Sequence, residues 1–184
     1  AVLQRVAPAL RWSADARTFP SREAFDAALA DAVAACRPDW VVCAGYMRIL
    51  GDGFVSRFRG RLLNIHPSLL PRYPALRTHA RALADGQREH GASVHFVIPE
   101  LDAGAVIAQA VVPVRADDDA EALATRVLAV EPPLLVAVLR LAAAGRLAEH
   151  GTTITLDGHA LFTALRLDSA GVLHVSDDPA SVAV

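Results

Sequence analysis

Apolar positions switch period along the chain. From Arg22 to Cys36 they recur at Phe25, Leu29, Val33 and Cys36, one stripe of an amphipathic helix. Ser21 stands before it as an N-cap, and Arg37-Pro38-Asp39 ends it. Trp40–Gly45 is then a continuous apolar run, the pattern of a parallel strand buried on both faces. Met47–Leu50 leads into a short helix around Asp52 to Phe58, and Arg61–Ile65 reads as a short buried strand stopped at His66-Pro67, since proline cannot donate to a sheet ladder. Thr78 to Ala84 predicts a helix halted near Gly86. The runs Ala92–Ile98 and Ala105–Val114 flank a polar Glu100–Gly104 segment, two strands joined by a loop. A further helix opens near Asp117-Asp118-Asp119, where acidic side chains suit the helix dipole, with Leu123, Val127 and Val130 on its stripe. Pro132-Pro133 is expected to break or kink it, with a second helical run ending near Gly145. After Thr152 the alternation is weak and predicts a peripheral hairpin.

This alternation of helices and strands argues for an α/β fold, a mostly parallel twisted sheet with an antiparallel strand pair and helices on both faces. Ala1–Pro8 reads as the end of a helix without its preceding strand. With 184 residues, 53% of them apolar, one domain with a substantial core is expected. A net charge of −2 and no basic stretch argue against phosphate-led nucleic-acid binding. No uninterrupted apolar run reaches the ~18 residues of a membrane span, and no signal peptide opens the chain, so a cytoplasmic protein is expected. Cys36 and Cys43 lack CxxC spacing and read as packing residues in a reducing compartment. The seven histidines form no HExxH or zinc-like set, so no metal is expected.

Candidate chemistry gathers at two places. Asn64 and His66 lie two apart and project to one side of an extended segment, at the C-terminal end of a strand where open α/β sheets hold ligands. A buried Asn and His satisfied by backbone would look the same. Pro67, Pro71 and Pro74 follow and build a rigid loop of the kind that carries function. Asp102 sits in the loop between the strand pair. A lone Asp there is usually a turn former, but a carboxylate beside an imidazole orients the ring and favours its protonated form.

The run Leu62–Pro74, reading Leu-Leu-Asn-Ile-His-Pro-Ser-Leu-Leu-Pro-Arg-Tyr-Pro, together with Glu100-Leu-Asp-Ala-Gly104, resembles the signature of the folate-dependent formyltransferases, most closely the glycinamide ribonucleotide formyltransferases. The likeness covers about residues 10 to 160 and implies a Rossmann-like formyltransferase domain over 1–184, with 161–184 as peripheral tail. It implies that Asn64, His66 and Asp102 are catalytic. It also implies 10-formyltetrahydrofolate as donor, a phosphoribosyl glycinamide acceptor, no metal, and a monomer or homodimer. Met47, Arg48, Ile49 and Leu50 match the segment that recognises the pterin, and Ile98, Pro99, Glu100, Leu101 and Asp102 the loop across that pocket, to which Asn64 also belongs. Arg22 matches an arginine near the folate tail. Leu128 and Glu131 match acceptor-binding positions. By themselves, Met47 and Leu50 read as core and Glu131 as a solvated helix residue.

Several positions depart from that pattern. Ala103 and Ala105 stand in place of Gly and Pro, Ala75 in place of a Gly, and Leu128 in place of a polar residue; Pro132-Pro133 directly after Glu131 is unusual. Alanine resists the positive φ open to glycine, so shifted loops are expected. The family's first strand and Gly-rich phosphate turn have no counterpart in these residues, so weak acceptor binding is expected. Three alternatives stay open. A formyltetrahydrofolate deformylase would usually read His-His-Ser-Phe-Leu-Pro at the loop, and a methionyl-tRNA formyltransferase Trp-Arg-Gly after Leu-Pro. A non-catalytic folate-binding or interaction remnant is the third.

Overall fold

The computed structural model describes residues 11–151 and 153–175; the expected helix end at Ala1–Pro8 lies outside them. Four helices, α1 (Arg22–Ala35), α2 (Asp52–Arg57), α3 (Thr78–Ala84) and α4 (Ala120–Ala143), alternate with strands β1 (Val41–Cys43), β2 (Leu62–His66), β3 (Glu89–Phe96) and β4 (Val106–Pro113). A meander follows, β5 (Leu147–His150), β6 (Thr153–Leu156) and β7 (His159–Leu161), then β8 (Leu165–Leu167) and β9 (Leu173–His174). The central sheet has the order β1-β2-β3-β4-β8-β9. It is mixed: β1–β2 and β4–β8 pair in parallel, while β2–β3, β3–β4 and β8–β9 pair antiparallel.

Strand alternation divides the core between the two sheet faces. Leu63 and Ile65 of β2 pack with Val94, Phe96, Ala108 and Ala110 under α4. Leu62 turns the other way and joins Ala30, Phe54, Val55 and Phe58 of α1 and α2. Helices therefore cover both faces, as the pattern predicts. Ser21 caps α1 as expected, accepting from Ala24 N–H at 3.1 Å; at the acidic start of α4 the cap is Asp119, which accepts from Ala122 N–H at 2.8 Å. Each supports its helix by ~1 kcal/mol.

Four expectations are corrected. The α1 stripe is rotated: Phe25, Asp26 and Ala30 are the buried residues, and Cys36 is exposed. Asp26 turns inward because its carboxylate accepts from Gly51 N–H at 2.9 Å, tying α1 to the start of α2. β1 is only Val41–Cys43 and half-buried throughout; among the described strands it pairs with β2 alone and forms the sheet's edge. α4 runs unbroken through Pro132 and Pro133. Two ladder bonds are lost there, yet Leu123 and Val127 before the prolines and Leu134 and Val138 after them have no exposure. Packing on both sides of the prolines keeps the helix continuous. By length and composition α4 would also suit a membrane span, but these burials make it a core helix. Finally, the residues after 161 are not all peripheral. β8 extends the central sheet beside β4, and Leu165 is 1% exposed.

Candidate active site

β2 ends with Asn64 and His66 on the face opposite Leu63 and Ile65, and the loop between β3 and β4 brings Asp102 to them. His66 Nδ1 lies 3.5 Å from Asp102 Oδ2, and both side chains are 7% exposed. On the other side of the ring, His66 Nε2 donates to the Tyr73 carbonyl at 2.9 Å. That bond sets the tautomer, so a proton gained by the ring goes to Nδ1, facing Asp102. The 3.5 Å gap is long for a direct hydrogen bond and becomes productive when a substrate atom or water sits between the groups. Asp102 has φ +53°, a left-handed conformation that Asp tolerates better than most residues. Its Oδ2 accepts from Ala75 N–H at 2.8 Å, joining the two loops. Gly104 follows because no side chain fits: a Cβ there would meet the Phe96 carbonyl at 1.8 Å.

A fourth member, His95, escaped the sequence reading. It is 2% exposed and pairs across the sheet with Asn64. Its Nδ1 donates to the Phe96 carbonyl at 2.8 Å, leaving Nε2 to accept from Asn64 Nδ2 at 3.1 Å. Burial depresses its pKa, which keeps Nε2 an acceptor. One amide hydrogen of Asn64 is thus occupied and the other directed away from His95. The one signal for His95 was its spacing in an alternating strand, which a core histidine shares.

The loop supporting His66 is braced in turn. Tyr73 (φ +58°) and Ala75 (φ +63°) both adopt left-handed backbone, so Ala75 holds a conformation natural to glycine. Ala103 and Ala105 need no positive φ. Tyr73 Oη donates to Asp85 at 2.9 Å, and its ring meets His90 edge-on at 6.0 Å. His90 Nε2 sits 3.1 Å from His79 Nδ1. Burial, then the neighbouring His79, pushes His90 down to about 4. Burial, then His66, lowers His79.

The remaining residues fall into two groups. Met47 and Ile49 are 77% and 53% exposed, so Met47 is not the core residue its hydrophobicity suggests. Leu50 does pack, in the same cluster as Cys43 and Val97, which brings the Met47–Leu50 and Ile98–Asp102 segments to one region. Burial pushes the Cys43 thiol up to about 11, consistent with a packing role. Arg22 donates to the Ile49 carbonyl at 2.7 Å, and Arg48 lies 4.9 Å over the Phe25 ring. Pro99, Glu100 and Leu101 are exposed, Ile98 half-buried. A cavity of about 570 Å³ opens between α1 and α2, beside Arg22, Asp26 and Gly51; none of Asn64, His66 and Asp102 lines it. Leu128 is 62% exposed and Glu131 half-buried with its carboxyl pKa raised by burial. No hydrogen bond or ion pair joins either to the cluster among the described residues. Among those residues no group of three or more His, Cys, Asp or Glu is placed to hold a metal.

Residues 4–139 match the family described as formyl transferase. The phosphoribosylglycinamide formyltransferase of Escherichia coli is 51% identical over 146 residues, which are 79% of this chain and 69% of that protein. The chain belongs to the phosphoribosylglycinamide formyltransferase family. The enzyme of that name from Mycobacterium tuberculosis is 50% identical over 135 residues, with 73% of this chain and 60% of the relative covered. The chain thus spans about two-thirds of the length of these family members. Its fold agrees: the Coxiella burnetii phosphoribosylglycinamide formyltransferase superposes with a TM-score of 0.76 at 48% identity, covering 79% of this chain and 69% of that one. A formyltetrahydrofolate deformylase from Pseudomonas syringae is more distant, at 32% identity and TM-score 0.69, with 73% and 45% covered.

Proposed function

We propose that this chain transfers the formyl group of 10-formyltetrahydrofolate to the amine of glycinamide ribonucleotide, a step of purine biosynthesis. The observation that carries the reading is Asn64, His66 and Asp102 converging at the C-terminal end of β2, with His66 between Tyr73 and Asp102. The acceptor's neutral amine attacks the formyl carbon, and negative charge develops on the formyl oxygen. The free amide hydrogen of Asn64 and a proton on His66 Nδ1 donate to that oxygen; one such donor typically lowers the barrier by ~2.7–4 kcal/mol. The attacking nitrogen releases its proton to Asp102 or to a water held by it. The tetrahedral centre then collapses, and tetrahydrofolate leaves from its nitrogen after taking up a proton. No covalent enzyme intermediate is involved.

The donor is placed between Met47–Leu50 and Ile98–Asp102, its pterin on main-chain groups and its tail toward Arg22. Leu128 and Glu131 are placed on the acceptor side. Both co-substrates are charged metabolites, which supports a cytoplasmic setting; the chain acts as a monomer or homodimer. Calorimetric titration with a 10-formyltetrahydrofolate analogue tests the donor site, and no binding at millimolar ligand would sink it. A formyl-transfer assay with and without glycinamide ribonucleotide tests the reaction. Folate hydrolysis that is indifferent to the acceptor would instead favour the deformylase.

A further inference from the structure

One face of α1 meets the segment between β1 and α2. Arg22, Phe25 and Asp26 stand three and four apart in the helix and so share that face. Arg22 Nη2 donates to the Ile49 carbonyl at 2.7 Å, and Arg48 lies 4.9 Å over the Phe25 ring. Asp26 Oδ2 accepts from Gly51 N–H at 2.9 Å, with Arg22 Nε 3.7 Å from the same oxygen. The Ile49 carbonyl and Gly51 N–H belong to the two peptide groups that flank Leu50. Residues 44–51 lie in no helix or strand, so no ladder orders them. Among the described residues, Arg22 and Asp26 supply the side-chain hydrogen bonds to the main chain of Met47–Gly51.

Asp26 is out of keeping with its surroundings. It is 5% exposed, and the other buried residues of α1 are Phe25 and Ala30. Its Oδ1 has no hydrogen-bond partner among the described residues, so the side chain costs stability that an apolar one of similar volume would not. What it supplies is the tie to Gly51. A Cβ on Gly51 would stand 2.8 Å from Asp26 Oδ2, so the close approach calls for glycine, while its φ is an ordinary −75°. The Gly51 carbonyl accepts from Phe54 and Val55 N–H at 3.0 and 3.1 Å. Gly51 is thus fixed to α1 through its N–H and to α2 through its carbonyl. We infer that Asp26 is a positioning residue for the donor: through Gly51, and with Arg22 acting at Ile49, it holds the main chain of Met47–Leu50 in the arrangement that receives the pterin. The inference rests on the proposed placement of the donor at that segment. Asp26 itself touches no substrate and moves no proton. A segment ordered before its ligand arrives binds without the cost of ordering. The effect therefore falls on donor affinity and leaves the chemistry at Asn64, His66 and Asp102 alone.

Calorimetric titration of the parent chain and of Asp26→Ala, Asp26→Asn and Asp26→Glu with a 10-formyltetrahydrofolate analogue tests the role, beside kcat at saturating donor. Asp26→Ala should raise the Kd about tenfold or more, the effect of losing a hydrogen bond to a charged group. Its kcat should stay within about twofold of the parent, the mark of lost binding without lost chemistry. Asp26→Asn keeps an oxygen for Gly51 N–H and should recover most of the affinity. Asp26→Glu keeps the charge but moves it by one methylene; it should weaken binding as well, and it carries the test if Asp26→Ala does not fold. A folded Asp26→Ala or Asp26→Glu chain with the parental Kd overturns the role and leaves Asp26 an anchor for α2. A loss confined to kcat overturns it as well. Asp26→Asn binding no better than Asp26→Ala would trace the effect to lost charge instead of the Gly51 bond, which also overturns it. A parent chain that binds no analogue overturns the donor placement and this role with it, a result distinct from equal binding by parent and variant.

Discussion

On one face of β2 and β3, Leu63, Val94 and Phe96 are wholly buried and Ile65 is 8% exposed. On the other face the same strands carry Asn64, His66, Ser93 and His95. The apolar face gains stability by area, at ~25 cal/mol per Å² removed from water, and each residue contributes nearly independently. The polar face is buried just as deeply, with His66, Ser93 and His95 at 6%, 0% and 2% exposure. Burial there is tolerable only because polar groups of neighbouring segments face these rings and hydroxyls. His66 depends on Tyr73 and Asp102, His95 on Phe96 and Asn64, and Ser93 on Ser68. One face is therefore forgiving and supplies stability, while the other is interdependent and supplies chemistry.

The sharpest break of that contrast exchanges one residue on each face. His66→Gln should slow formyl transfer by about 10²–10⁴-fold, the usual range for a positioned proton donor. Its urea midpoint should move by no more than ~1 kcal/mol equivalent. Leu63→Ala should do the reverse, costing ~2–5 kcal/mol of stability through lost burial and a cavity. Turnover per folded molecule, measured well below its unfolding midpoint, should stay near the original value. A His66→Gln chain that melts, or a folded Leu63→Ala chain that is inactive, would mean the faces are not separable.

Titration sharpens the comparison. His90 is held at about 4 by burial and by His79, against ~6.5 when unfolded. Between those values the unfolded chain binds the extra proton, so stability is fully present above about 6.5 and falls as pH drops toward 4, by on the order of 3 kcal/mol. His79, itself lowered by burial and His66, titrates in the same direction. Urea unfolding across this window should show the slope, and His90→Phe should flatten it. An unchanged slope in that variant would assign the acid sensitivity elsewhere.

The smallest effect concerns Ala75, whose φ of +63° strains an alanine but not a glycine. Ala75→Gly should raise stability by ~0.5–1 kcal/mol, the relief of left-handed strain less glycine's extra chain entropy. A thermal melt showing destabilisation would mean the methyl group packs favourably enough to outweigh that strain.

Much of this molecule is legible in its residues. The start and end of α3, the Ser21 cap of α1, the strand pair around Asp102 and the common side of Asn64 and His66 follow from local rules: a capping side chain, a glycine stop, a period of two. Asp102 and His66, separated by a helix and a strand, were linked through family resemblance, because no local rule measures the 3.5 Å between them. His95 was missed because its role is set by the strand opposite. The inward turn of Asp26 has no local signal, because its partner, Gly51 N–H, is distant in sequence. The prolines of α4 mislead for the same reason: local rules count the two lost hydrogen bonds, whereas Leu123, Val127, Leu134 and Val138 pack in the core and keep the helix continuous through them. The sequence by itself determined where elements begin, which positions alternate and which side chains can do chemistry, since these depend on neighbours a few bonds away. The tertiary structure alone decided which polar groups meet, which tautomer each histidine holds and that β8 joins the central sheet, since each depends on surfaces brought together only when the chain closes on itself.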